Sequence, residues 1–245
     1  MNRTGRPHEI EPTALDLSVV IRAGTEIGES PVWSQRTQEL YFVDIAGQAI
    51  HTYRPSDGRQ RVFTLPDLVT SVSLRVGGGL VLSLRKTFAF YDPETGDLEV
   101  LADPEPDRPR NRFNDARCDP QGRLWAGTMS ADDWLAPTGA VYRLDPDQRI
   151  TRMIDEVSCS NGTGWSPDGR TFVTTGPEGS GTVEVRDART GASVLSFRAH
   201  EFDINDVVFN DDGSRLATTG DDGALRLWDP ATGEEQAAFE FPAGG

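Results

Sequence analysis

A β-propeller built of four-stranded blades is the fold this sequence predicts, on three observations. Short runs rich in Val, Thr, Phe and Tyr alternate with Gly, Asp and Pro punctuation, and no helical period of any length is sustained. A polar residue recurs ahead of each first strand, at Glu29, Ser71, Asn114, Asn161 and Asn205, which sets a period of 42 to 47 residues. Each period has room for four strands and their turns, and four strands repeated with a period in the forties mark a propeller blade.

Taken in order, residues 1–14 are Pro- and charge-bearing and are expected to form a loose arm ahead of a single domain at 15–245. Ser18-Val19-Val20-Ile21-Arg22 reads as one extra strand before the first head. Each head is followed by a turn: Gln-Arg-Thr-Gln, Val-Gly-Gly-Gly, Asp-Pro-Gln-Gly, Ser-Pro-Asp-Gly and Asn-Asp-Asp-Gly. Gly and Asp supply the dihedrals and local hydrogen bonds such reversals need. Second strands follow at Leu40–Val43, Leu80–Leu82, Leu124–Ala126, Thr171–Val173 and Leu216–Thr218. Third strands resemble Phe88–Tyr91 and fourth strands Arg61–Thr64, and the last unit ends in Ala237–Phe241. Five complete blades and one extra strand allow two closures. One is a six-bladed plan lacking three strands of its last blade. The other is a five-bladed ring with the extra strand on an outer edge.

Composition narrows the function. With 36% hydrophobic residues, five Trp and eleven Phe, the 245-residue chain can build a core. Its formal net charge of −15 disfavours nucleic acid or an anionic membrane as a partner, because phosphate binding needs a basic patch. Cys118 and Cys159 have neither disulfide-framework nor zinc-knuckle spacing. Residues 1–16 lack the apolar core of a signal peptide and no run approaches membrane-spanning length, so a cytoplasmic protein is expected.

Three segments resemble the gluconolactonase, regucalcin and luciferin-regenerating family of six-bladed propellers. They are Gly28-Glu29-Ser30-Pro31-Val32-Trp33 with Leu40–Ile45, Arg112-Phe113-Asn114-Asp115 through Gly127-Thr128-Met129, and Ser160-Asn161-Gly162 with Trp165–Gly169, together spanning residues 15–175. Residues 176–245 look instead like WD40 blade sequence: Ala199-His200, Asn205–Gly213, Leu216–Gly223 and Leu225-Arg226-Leu227-Trp228-Asp229. On this reading the chain is a chimera with its seam in the fourth blade.

The first resemblance implies a divalent cation at the mouth of the central channel. Its family ligands fall on Glu29, Asn161 and, by register, Asn205, where the family has an Asp. Oxygen ligands suit Ca²⁺, with Zn²⁺ or Mg²⁺ as alternatives. It implies Arg112, Asn114 and Asp132 as contacts for a sugar lactone, and hydrolysis of that lactone as the chemistry. The family Asp also serves as general base; Asn205 cannot take a proton, which leaves the neighbouring Asp206 as the candidate. The plainer reading of each head is that Asn or Ser before a strand caps its own backbone.

His200 with Asp222, a strand Thr and Trp228 reads as a hydrogen-bonded blade scaffold, and His8 and His51 have no partner in sequence. Asp211-Asp212-Gly213 lacks the spaced oxygen series of a Ca²⁺ loop and reads as a turn. Two function classes follow: a metal-dependent lactonase, or a non-catalytic propeller that binds a protein partner through its WD40-like blades. Fold alone does not separate them.

Overall fold

In the computed structural model, residues 19–161, 163–176 and 179–240 are described, and they form five four-stranded antiparallel sheets. The first blade holds β1 (Gly28–Ser34), β2 (Glu39–Asp44), β3 (Ala49–Arg54) and β4 (Arg59–Thr64). The second holds β5 (Val69–Leu74), β6 (Leu80–Leu84), β7 (Phe88–Tyr91) and β8 (Leu98–Ala102). The third holds β9 (Asn111–Cys118), β10 (Leu124–Ser130), β11 (Gly139–Leu144) and β12 (Ile150–Val157). The fourth holds β13 (Gly164–Trp165), β14 (Thr171–Thr175), β15 (Thr182–Asp187) and β16 (Ser193–Arg198). The fifth holds β17 (Ile204–Phe209), β18 (Leu216–Gly220), β19 (Ala224–Trp228) and β20 (Glu235–Glu240). Each sheet is a meander in which every strand pairs with its sequence neighbour. No helix long and apolar enough to cross a membrane occurs among the described residues.

The turns form by the local chemistry their residues supply. Asp119 Oδ1 accepts the backbone N–H groups of Gln121 (3.0 Å) and Arg123 (2.9 Å), and Asp168 Oδ1 accepts that of Arg170 (3.0 Å). Gly122, Gly169 and Gly213 take positive φ values of 75°, 64° and 74°, where a side chain would clash with the backbone.

Blade faces pack on one another through four apolar clusters, one for each pair of consecutive blades. Tyr41, Val43 and Ile50 meet Val69, Val72 and Leu82 between the first and second. Phe88 lies on Phe113, with ring centroids 4.7 Å apart, between the second and third. Trp125 lies 4.8 Å from both Trp165 and Phe172 between the third and fourth. Val173, Val183 and Val185 meet Val207, Leu216 and Trp228 between the fourth and fifth. Among the described residues no such cluster joins the fifth blade to the first, and on the facing surfaces Trp33, Val62 and Val208 are exposed.

The extra N-terminal strand is a correction. Val19–Arg22 forms no strand, and Val19 and Val20 are 69% and 63% exposed; Ser18 and the expected arm lie outside the described residues. A strand exists only where its N–H and C=O groups find a partner, and no sheet edge pairs with this segment. The expected end of the last strand, Phe241, also lies outside the described residues.

Candidate functional site

Four of the five innermost strands break register at the polar head. In β1 the shift falls between Glu29 and Val32, in β5 between Val69 and Ser71, and in β17 between Ile204 and Asp206. In β9, Phe113 pairs with Thr128 and Ala116 with Ala126, so Asn114 and Asp115 together oppose Gly127. An extra residue of this kind interrupts the two-residue alternation and re-aims side chains. Adjacent polar residues thereby reach the axis instead of entering the apolar space between blades.

Glu29 is held by its surroundings. The Asp44 carboxylate accepts the backbone N–H groups of Glu26, Ile27 and Gly47, each at 3.1 Å, which fastens the approach to β1. Next to Glu29, Ser30 adopts a φ of 53°, and its hydroxyl oxygen accepts the Val72 N–H at 3.0 Å, tying this head to the second blade. Partial burial, and then the nearby Asp115 carboxylate, push the Glu29 carboxyl above its ordinary pKa.

The middle of the site is a chain of amides. Arg112 Nη1 donates to Phe113 O (2.9 Å) and to Asn114 Oδ1 (3.1 Å), which turns the Asn114 amide nitrogen toward the fourth blade. That nitrogen donates to Asn161 Oδ1 (2.8 Å) and Ser160 O (3.1 Å). An amide oxygen has two lone pairs, so Asn161 Oδ1 keeps one acceptor direction open. Across the axis, Asn205 Nδ2 donates to Asp221 Oδ1 at 2.8 Å, which leaves the Asn205 oxygen as an acceptor.

Glu29, Asn161, Asn205 and Asp206 border one cavity of about 600 Å³ where the blade heads converge. Asp115, Asp221 and Trp134 line it as well, and sequence reasoning passed over all three. Asp115 was hidden because regular alternation sends the residue after Asn114 to the other face; only the register break brings it to the axis. Among the described residues no three His, Cys, Asp or Glu side chains form a metal-holding group by themselves. The donor set is one carboxylate and two amides, with further carboxylates around it.

The other expected residues sit differently. Ser71 is fully buried and donates to Ser83 Oγ at 2.9 Å, so this head is structural. Asn114 reaches the cavity through its bond to Asn161, and Arg112 only through its bond to Asn114; neither lines it. Asp132 faces Arg110 at 3.5 Å outside the cavity. Cys118 and Cys159 form no disulfide, and Cys159 borders the cavity. His51 stacks on Phe42 with centroids 5.1 Å apart, while His8 lies outside the described residues. His200 has the scaffold contacts expected of it. Its Nδ1 is 2.8 Å from Asp222 Oδ1 and its Nε2 is 2.7 Å from Thr218 Oγ1, which also accepts the Trp228 indole N–H at 2.9 Å.

A further expected outcome arises at Gly127. A Cβ added there would lie 2.0 Å from Ser160 Cβ and 2.1 Å from its Oγ. Gly127→Ala must therefore displace Ser160 and with it Asn161. We expect the substitution to lower stability by about 1–3 kcal/mol, read as a fall in melting temperature.

Comparison with known proteins agrees with this architecture. The family model of the SMP-30/Gluconolactonase/LRE-like region matches residues 27–242. Regucalcin of Danio rerio is 32% identical over 241 residues, covering 94% of this chain and 80% of its own length. Regucalcin of Xenopus laevis is 37% identical over 164 residues, 65% of this chain; the match spans 55% of that relative. Among solved structures, a calcium-binding regucalcin of Agrobacterium tumefaciens superposes with a TM-score of 0.74 at 24% identity, covering 89% of this chain and 75% of that one, which is a likeness of fold.

Proposed function

Because this chain belongs to the SMP-30/gluconolactonase/LRE-like family, we propose that it is a divalent-cation-dependent hydrolase of a sugar lactone. The observation that carries the reading is the convergence of Glu29, Asn161 and Asn205 on one cavity beside Asp115, Asp206 and Asp221. These residues fit a hard cation. They are all oxygen donors, and Glu29 and Asp115 repel one another in a partly buried setting that positive charge would relieve. Glu29, Asn161 and Asn205 would hold the ion, Ca²⁺ first among candidates, with Asp221 orienting Asn205 and Asn114 orienting Asn161.

When bound, the cation supplies Lewis-acid polarisation of the lactone carbonyl. The chain's own residues do the rest. Asp206, whose Oδ1 accepts the Val207 N–H at 2.9 Å, is oriented by that bond and accepts the proton of the attacking water. Arg112 fixes Asn114, and these two with Asp132, two residues before the cavity-lining Trp134, are the further polar groups offered to the hydroxyls of the ring. The test is a calcium titration of the metal-free protein followed by an aldonolactone assay. A rise in melting temperature together with lactone opening supports the reading, and the absence of both sinks it. Asn205→Asp, which adds a second carboxylate to the ion site and a base beside Asp206, is expected to raise the hydrolysis rate severalfold. No gain in a direct rate comparison would show that position 205 does not occupy the family's acidic register.

A WD40-like origin for residues 176–245, with a seam in the fourth blade and an incomplete six-bladed plan, belongs to the same proposal. The His200–Asp222–Thr218–Trp228 contacts favour the first part, and the lack of an apolar cluster between the fifth and first blades among the described residues favours the last.

A further inference from the structure

Trp134 stands apart from the other groups around the cavity. Glu29, Asp115, Asn161, Asp206 and Asp221 are polar, whereas Trp134 brings an aromatic ring to the same space, with 57% of its surface exposed. Leu135 beside it is 58% exposed. The other exposed tryptophan, Trp33, is 38% exposed and does not line the cavity.

The loop that carries Trp134 is held by a series of bonds. Ser130 Oγ accepts the N–H groups of Asp132 (3.3 Å) and Asp133 (3.1 Å). Asp133 Oδ1 accepts that of Leu135 (3.1 Å), and Asp133 O that of Ala136 (3.0 Å). The Ala131 N–H donates to Arg110 O at 2.9 Å, which ties the loop to the segment before β9, and Asp132 faces the exposed Arg110 side chain. The loop therefore presents the indole in a defined place with half its surface still facing water. Leaving that much aromatic surface exposed forgoes the stabilisation that covering it would supply.

We propose that Trp134 is the stacking platform for the ring of a six-membered, polyhydroxylated lactone. This rests on the lactonase reading and names its substrate class more closely. A sugar ring is amphipathic: its axial C–H bonds make an apolar face and its hydroxyls make a polar rim. A cavity with one aromatic ring at its edge and carboxylates and amides elsewhere matches both features at once. A lactone without hydroxyls would use only the indole, and an acyclic acid would present no flat face to it. Trp134 thus discriminates by ring shape, while the polar groups discriminate by hydroxyl pattern.

The test compares wild type with Trp134→Ala and Trp134→Phe on D-glucono-1,5-lactone and on δ-valerolactone. The Ala variant is expected to raise KM for the sugar lactone roughly tenfold with kcat within about twofold, and the Phe variant to recover most of the loss. The KM for δ-valerolactone should move less. Intrinsic fluorescence supplies an arm that needs no hydrolysis: D-glucose, a ring of the same shape without the lactone, should quench wild type and leave Trp134→Phe unquenched. Unchanged KM in the Ala variant, with wild-type activity intact, overturns the platform and leaves the lactonase reading standing. If wild type opens no lactone, the lactonase reading falls and the fluorescence arm decides the platform alone. Equal quenching in both proteins, or none in either, overturns it.

Discussion

Glu29→Gln is expected to lower kcat/KM for an aldonolactone by about two orders of magnitude or more, and to abolish the calcium-dependent rise in melting temperature that the proposed ion site predicts for wild type. The substitution keeps the shape of the side chain and an oxygen in place, and removes the charge. Glu29 is the carboxylate among the three proposed ligands, since Asn161 and Asn205 offer neutral amide oxygens. A hard divalent cation loses most of its electrostatic attraction when that charge goes. If the proposed site holds calcium, the ion at about a hundred times its dissociation constant would stabilise the wild type by about 2.7 kcal/mol, an effect easily read by melting. The metal-free proteins should differ in the opposite sense. The Glu29 carboxyl is pushed up by burial and by Asp115, so the ionised side chain is held at a cost, and Gln removes that repulsion. In chelator, Glu29→Gln should melt at or above wild type; in calcium it should melt below. An identical response of both proteins to calcium would place the ion elsewhere.

Asp222→Ala is the second large effect, and it concerns stability. The Asp222 carboxylate is 2.8 Å from His200 Nδ1, accepts from Arg226 Nη1 at 2.7 Å, and accepts the N–H groups of Glu201 (3.1 Å) and Ala224 (3.2 Å). The His200 side chain has no exposed surface, and its Nδ1, which also lies 2.7 Å from Arg226 Nη1, would be left facing that guanidinium without a carboxylate or water between them. Stranding buried donors and a charged guanidinium costs about 3–5 kcal/mol. For a chain of this size that is roughly ten degrees in melting temperature. The pH dependence carries a definite sign. Burial works to raise the Asp222 pKa, but hydrogen bonds from His200, Arg226 and the two backbone groups outweigh it and hold it well below the ordinary carboxylate range. A depressed folded pKa contributes stability that is complete above about pH 4 and is lost as pH falls through the depressed value. The melting gap between wild type and Asp222→Asn should therefore be constant from neutral pH down to about 4 and close only in stronger acid. A gap that closed already near neutrality would overturn the assignment of this pH dependence to Asp222.

Parts of this molecule are legible in the sequence because they rest on local chemistry. The turn at Asp119-Pro120-Gln121-Gly122 is readable because Asp119 bonds backbone groups only two and four residues on. The Phe88–Tyr91 strand is readable because its run of apolar and aromatic residues is bounded by turn residues. The His200 scaffold is readable as a pattern, although its members meet across 18 and 22 residues. What stays hidden has a range longer than a turn. Glu105 looks like a loop acid, yet it is buried and accepts from Thr128 and Tyr142 hydroxyls, both at 3.0 Å, from the third blade. Ser71 looks like the other heads and differs from them only because Ser83 lies opposite.

The sequence by itself determined the blade: its four strands, its turns, its period and the polar residue at its head, all of which follow from side-chain alternation and backbone hydrogen bonding within a few residues. The tertiary structure alone decided which heads share a cavity, that Asp115 and Trp134 join them, that Asp132 turns to Arg110, and that among the described residues no apolar cluster joins the fifth blade to the first. Those outcomes depend on one-residue register breaks and on contacts between blades some forty-five residues apart in sequence. A register shift of one residue reverses the face of every side chain beyond it.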